Sequence, residues 1–230
     1  MYSVLILLLI LIVLKNFSFI EHFSTKINFL TKEDTISLLT SDSDKYFQSL
    51  SPMDLNARKV QNIQEYLEIS LESVSDFTDS EKGIIEKNVM FAQEIIKNIN
   101  SEIVDNQLLL NLPWNFALTI GKDYELGLAH TRNDTIFLTP DIVRKENLYS
   151  TLIHEKIHVY QKEYKEKFQK DLLNNGYSIY AQRSTRKDLR SNPDLDEYIW
   201  EKNGKIYQDQ EGKYEHPNEE IAYTLEKNIL

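Results

Sequence analysis

The stretch His154-Glu155-Lys156-Ile157-His158 constrains this chain more than any other. On a helix of 3.6 residues per turn, positions four apart lie almost above one another, so the two imidazoles project from one face and can share a metal ion. The stretch therefore predicts a helix with His154 and His158 as metal ligands. Glu155, beside the first histidine, is placed to take a proton from a zinc-activated water, the arrangement of a metallohydrolase core. The chain has no cysteine, which leaves His, Asp and Glu as the only metal-ligating side chains.

A catalytic zinc site uses three protein ligands and an open position, so two histidines call for a partner. Glu215, His216, Glu219 and Glu220 cluster late in the chain. Pro217 suits the first turn of a closing helix. On that helix Ile221, Ala222, Leu225 and Ile229 form the buried stripe, Glu219 and Tyr223 border it, and Glu220 groups with Thr224 and Lys227 on the far side. Glu219 is the expected third ligand, with Ala222 small enough for close helix approach, and His216 is the alternative. Tyr223, sharing the Glu219 face, is the expected donor to a developing oxyanion; Tyr177, Tyr180, Arg183, His130 and His216 are alternatives.

Around the motif the pattern is α+β. Ile153, Ile157, Tyr160, Tyr164 and Phe168 recur at helical steps, with Lys156, Glu163, Lys167 and Lys170 expected on the outer face and Asn174-Asn175-Gly176 closing the helix. Asp141 or Asn147 is expected to cap it. Upstream, Trp114, Phe116, Leu118 and Ile120 alternate as in a strand, and Leu126–His130 with Thr135–Thr139 read as a hairpin around Arg132-Asn133-Asp134. Asn192-Pro193 reads as a turn, and Asn203-Gly204 predicts a second hairpin. Val60–Val74 and a segment capped by Thr78 and Glu81 read as amphipathic helices.

The first twenty residues are apolar almost throughout, long enough to cross a bilayer at roughly 20 residues per span. No Lys or Arg precedes Lys15 and the first alanine is Ala57, so an uncleaved single-pass anchor is favoured over a signal peptide. Lys15, Lys26 and Lys32 after the run weakly favour a cytoplasmic location for the rest. The expected organisation is an anchor at 1–20, a polar stalk at 21–53 with little order, and a domain at 54–230, helical over 54–112 and carrying sheet and site helices over 113–230. With 41% hydrophobic residues the domain can build a sizeable core, and a net charge of -10 argues against nucleic-acid partners.

The pentapeptide, extended by Val159 and Gln161, together with Pro217-Asn218-Glu219-Glu220-Ile221-Ala222-Tyr223, resembles the zincin metallopeptidases whose third zinc ligand is a glutamate from a later helix. The resemblance covers about residues 115 to 230. It implies Zn2+ held by His154, His158 and Glu219, Glu155 as general base, a peptide or protein substrate, and a small mixed sheet whose edge receives extended substrate. The chain departs from the large members in lacking their longer glutamate-helix signature. A second expectation is a catalytically silent, zinc-stabilised, membrane-tethered binding or structural protein.

Overall fold

Strand β3 (Trp114–Thr119) is buried on both faces, which is why its sequence carries apolar residues at consecutive positions and not only at alternate ones. It runs parallel to β1 (Ile27–Phe29) on one side and to β5 (Thr135–Leu138) on the other. β2 (Val74–Ser75) continues the β1 side as an antiparallel pair with Leu118 and Thr119, and β4 (His130–Arg132) closes the sheet as an edge antiparallel to β5. The computed structural model describes residues 25–186, 188, 194–208 and 215–227. The expected anchor at 1–20, the Asn192-Pro193 turn and Ile229 lie outside the described residues. Among those described, no helix is long and apolar enough to cross a membrane.

Helices cover both faces of the sheet. On one side, α1 (Lys32–Ser41), the short α2 (Tyr46–Ser49) and α3 (Pro52–Ala57), and α4 (Ile63–Glu72) bring Leu39, Phe47 and Tyr66 against Ala117, Tyr124 and Phe137. On the other, α5 (Asp79–Ile96), α6 (Asn106–Asn111), α7 (Pro140–Val143), α8 (Leu148–Glu163), α9 (Lys165–Asn174) and α10 (Pro217–Lys227) build the larger core on Phe116, Leu118, Ile136 and Leu138. A second, antiparallel sheet of β6 (Ser178–Gln182), β7 (Tyr198–Lys202) and β8 (Lys205–Ile206) lies between α9 and α10 in the chain. Its Asn203-Gly204 turn has φ of 53° and 77° at the two central residues, as the dipeptide predicts. The α+β class is thus as expected.

Several boundaries differ from expectation. Residues 25–53 are no stalk: β1 pairs with β3, and Leu39, Tyr46 and Phe47 are core. Their burial does not follow a single helical stripe, because the segment breaks into a strand and two helices with a turn at Asp42–Lys45, so periodicity missed it. That turn is locked to the sheet through Arg132. Its guanidinium is fully buried, donates to Asp44 at 2.5 and 2.6 Å and to Asp42 at 3.0 Å, and stacks over the rings of Tyr46 and Phe47. Arg132 therefore belongs to β4 and not to the hairpin turn, which is carried by Asn133 at φ 52°. Leu126 likewise lies in a 3-10 turn ahead of the strand.

The motif segment is two helices, α8 and α9, interrupted at Tyr164, and Asn147 stands at the start of α8 without a side-chain capping bond. Lys156, expected outside, is fully buried. Its ammonium donates to the carbonyls of Leu112 and Pro113 at 2.7 and 2.5 Å and lies 4.5 Å from the centre of the Trp114 ring. Burial pushes its pKa down to about 7. The contacts pin the motif helix to the start of β3 and satisfy an amine that would otherwise be costly to bury.

Two predictions follow from the ordered N-terminal layer. A chain begun at Thr25 folds with a cooperative melt followed by circular dichroism, whereas one begun at Ser51 loses β1 and its core residues and does not. Arg132→Met costs about 3 kcal/mol at neutral pH in denaturant titrations, since it strands two carboxylates. Burial raises the Asp44 pKa, but Arg132 outweighs it and holds the group below its ordinary value. Its contribution is therefore present above the unfolded value of about 3.9 and is lost as pH falls through the lowered folded value. The difference between wild type and Arg132→Met should shrink on acidification through that range.

Candidate metal centre

α8 is buried around most of its circumference, with Ile153, Ile157 and Tyr160 in the core and His158 and Glu155 enclosed beside them. α10 packs against it through Ile221, Ala222 and Leu225, and Ala222 is fully buried at the approach. This pairing brings the predicted ligands together. The Nε2 atoms of His154 and His158 are 3.0 Å apart, and each lies 3.5 Å from a different oxygen of Glu219. The three side chains thus bring donor atoms close enough to share one ion, and His154, His158 and Glu219 form a group able to hold a metal.

Each histidine is oriented from behind. The Nδ1 of His154 meets Glu226 Oε2 at 3.2 Å, and Glu226 is itself held by the Ser150 hydroxyl. His158 Nδ1 donates to Gln161 Oε1 at 2.7 Å, and the Gln161 amide donates to the Asn218 carbonyl at 3.1 Å, tying α8 to the first turn of α10. In both histidines Nε2 is thereby turned to the common point, the outer-contact arrangement typical of histidine metal ligands. Burial would lower the pKa of His154, yet Glu219 and Glu226 hold it up at about 10; burial takes His158 down to about 3.

Glu155 is 4% exposed, and its Oε2 accepts the Thr131 hydroxyl at 3.0 Å. Burial and the nearby Asp194 push its pKa up to about 8, a range that suits a group exchanging protons near neutrality. His154, Glu155, Glu219, Tyr223 and Glu226 share one cleft of about 1000 Å³. Tyr223 lies on the cleft wall with its ring 4.7 Å from that of His154, edge to face. The opposite wall comes from the N-terminal layer. There Glu125 accepts from Tyr46 and Tyr66 at 2.6 Å and from Arg58 at 3.1 Å, anchoring a turn in which Glu125 and Leu126 both have positive φ. The anchored turn sets Leu126 and Leu128 exposed at the cleft mouth.

The alternatives fall elsewhere. His216 is fully buried away from the cleft: its Nδ1 accepts the Asn218 N–H at the start of α10, so its Nε2 carries the proton and donates to Asp196 at 2.8 Å. It is a helix cap and not a ligand. Tyr177 bonds Glu220, Tyr180 is exposed on β6, and Arg183 does not line the cleft. His130 does line it, but its Nδ1 faces the Leu128 carbonyl at 3.1 Å and must hold the proton, which makes Nε2 an acceptor and unsuited to an oxyanion. Sequence reasoning missed Glu226, Gln161, Thr131 and Asp194 as supporting groups. Two had a signal: Glu226 is two turns beyond Glu219, and Gln161 one turn beyond His158.

Compared with known proteins, the chain matches no family model, no curated protein and no solved structure. Its chemistry rests on its own residues. One metal ion per chain should bind, and alanine at His154, His158 or Glu219 should abolish that stoichiometry in metal analysis of folded protein. Gln161→Leu and Glu226→Gln should retain the ion but weaken it by about 10- to 100-fold in chelator competition, because they free the rings the ligands depend on.

Proposed function

We propose that this protein is a membrane-anchored, zinc-dependent metallopeptidase. The observation that carries the reading is the convergence of His154, His158 and Glu219 at 3.0 to 3.5 Å beside a buried Glu155 in one cleft. The set matches the ligand types and spacings of the zincin resemblance, now joined in space by helix packing. A zinc ion held there would supply Lewis acidity toward water and toward a carbonyl oxygen.

The side chains account for the rest. Thr131 fixes one oxygen of Glu155, leaving the other to take the proton as water oxygen adds to the amide carbon. Glu155 then returns that proton to the nitrogen as the C–N bond breaks, giving a free amine and a carboxylic acid. Tyr223, on the cleft wall against His154, is the proposed donor to the developing oxyanion. The partner is a peptide or protein; the net charge of -10 disfavours nucleic acid.

The apolar run at the N-terminus supports a single-pass anchor. Because β1 begins at Ile27, only a few residues separate that run from the folded domain, in place of a stalk of about thirty. The domain is then held close to the bilayer, and its substrates are those that reach the membrane surface. Glu155→Gln decides between hydrolase and zinc-held scaffold. It should keep the metal and lower peptide turnover by about 1000-fold, measured by fluorogenic peptide hydrolysis; unchanged function with bound zinc would favour the scaffold.

A further inference from the structure

Among the described residues strand β4 is an edge of the main sheet, and an edge strand offers outward N–H and C=O groups to which an extended peptide can add. At Thr131 both groups are already used. Its N–H donates to Asp194 Oδ1 at 3.0 Å, and its carbonyl accepts from Lys162 Nζ at 2.6 Å. This plug is braced, since Lys162 also lies 3.5 Å from the same Asp194 oxygen and the Asp194 carbonyl accepts from Asn218 Nδ2 at 2.9 Å. The Thr131 hydroxyl rests on Glu155, so the plug stands directly beside the proposed base. By the two-residue alternation of a strand, the next outward pair is at Ala129, which lines the cleft together with Leu128 and Leu126. A peptide adding to this edge would find the main-chain groups of Thr131 already taken and would have to pair on the Ala129 side.

The closed end also has a chemical character. Asp194 and Glu155 line it, 5% and 4% exposed, while Lys59, Lys122 and Lys145 line the cleft from other loops. His130, next to Thr131 in the chain and 3% exposed, holds its proton on Nδ1 toward Leu128, and its buried Nε2 has no hydrogen-bond partner. A buried lone pair lining the cleft near the Asp194 and Glu125 carboxylates calls for a group rich in N–H. An ammonium supplies three such donors and positive charge, whereas a chain-terminal carboxylate would meet like charge.

Resting on the peptidase reading, we propose that the cleft receives the free amino end of a peptide and that the protein removes N-terminal residues instead of cutting within a chain. Water oxygen adds to the carbonyl carbon of the first peptide bond, the C–N bond breaks, and the proton passes to the nitrogen of the shortened peptide.

The test uses the full chain, purified in detergent and loaded with zinc, and one short unstructured peptide prepared with a free or an acetylated amino terminus. Mass spectrometry should show the free form shortened residue by residue from its amino end. The acetylated form should fall by about 30-fold or more in kcat/KM, the loss expected for a charge-assisted hydrogen bond. Equal rates, or internal cuts in the acetylated peptide, would overturn the inference and leave the peptidase reading standing. Hydrolysis of neither peptide by protein with stoichiometric zinc would overturn both.

Discussion

A helix buried on nearly every side and yet loaded with ionisable groups sets the terms for this protein. Between Ile153 and Gln161, α8 places two imidazoles, a carboxylate, an ammonium and a carboxamide in or beside the core. Each is costly to bury unless it is answered, and the answers come from the start of β3, from β4 and from α10. Lys156 reaches the carbonyls before β3, Glu155 takes the Thr131 hydroxyl on β4, His158 takes Gln161 and through it α10, and His154 takes Glu226. The polar demands of one helix thus fix the position of the sheet and of the closing helix around it.

The cleft is a consequence of that arrangement and of a second buried cation. Arg132 ties the Asp42–Asp44 turn to β4, which seats the N-terminal helices on the sheet face opposite α8. From that layer Arg58, Tyr46 and Tyr66 grip Glu125 and hold a turn with two non-glycine residues at positive φ. Strain of this kind persists only where surrounding contacts over-determine it. Its result is a wall facing the metal ligands, with the leucines at the mouth and the sheet edge plugged at Thr131. A group on β4 therefore connects the shape of the cleft to the position of Glu155.

Much of the centre was legible in the residues. The four-residue spacing of His154 and His158, the periodicity that separated Glu219 from Glu220, and the small Ala222 each corresponded to a feature of the packed helices. The strand at 114–119 and the Asn203-Gly204 hairpin were readable for the same reason, that local chemistry dictates local geometry. His216 was not separable from Glu219 by position alone, because capping a helix and ligating a metal place similar demands on a residue near its start. Lys156 was misplaced because periodicity assigns a lysine to solvent, and only a pair of waiting carbonyls can reverse that.

The sequence by itself determined the elements that repeat at helical or strand period, the ligand types available in a chain without cysteine, and a helix bearing two histidines on one face. It also carries the apolar run that supports an anchor. Tertiary structure decided what depends on distant partners: that residues 25–53 belong to the core, that Thr131 and Asp194 stand beside Glu155, and that Glu226 and Gln161 aim the histidines. Those contacts join positions dozens of residues apart, and no periodicity within a window encodes them. They arise because buried polar groups must be satisfied, a condition met only once the chain has folded.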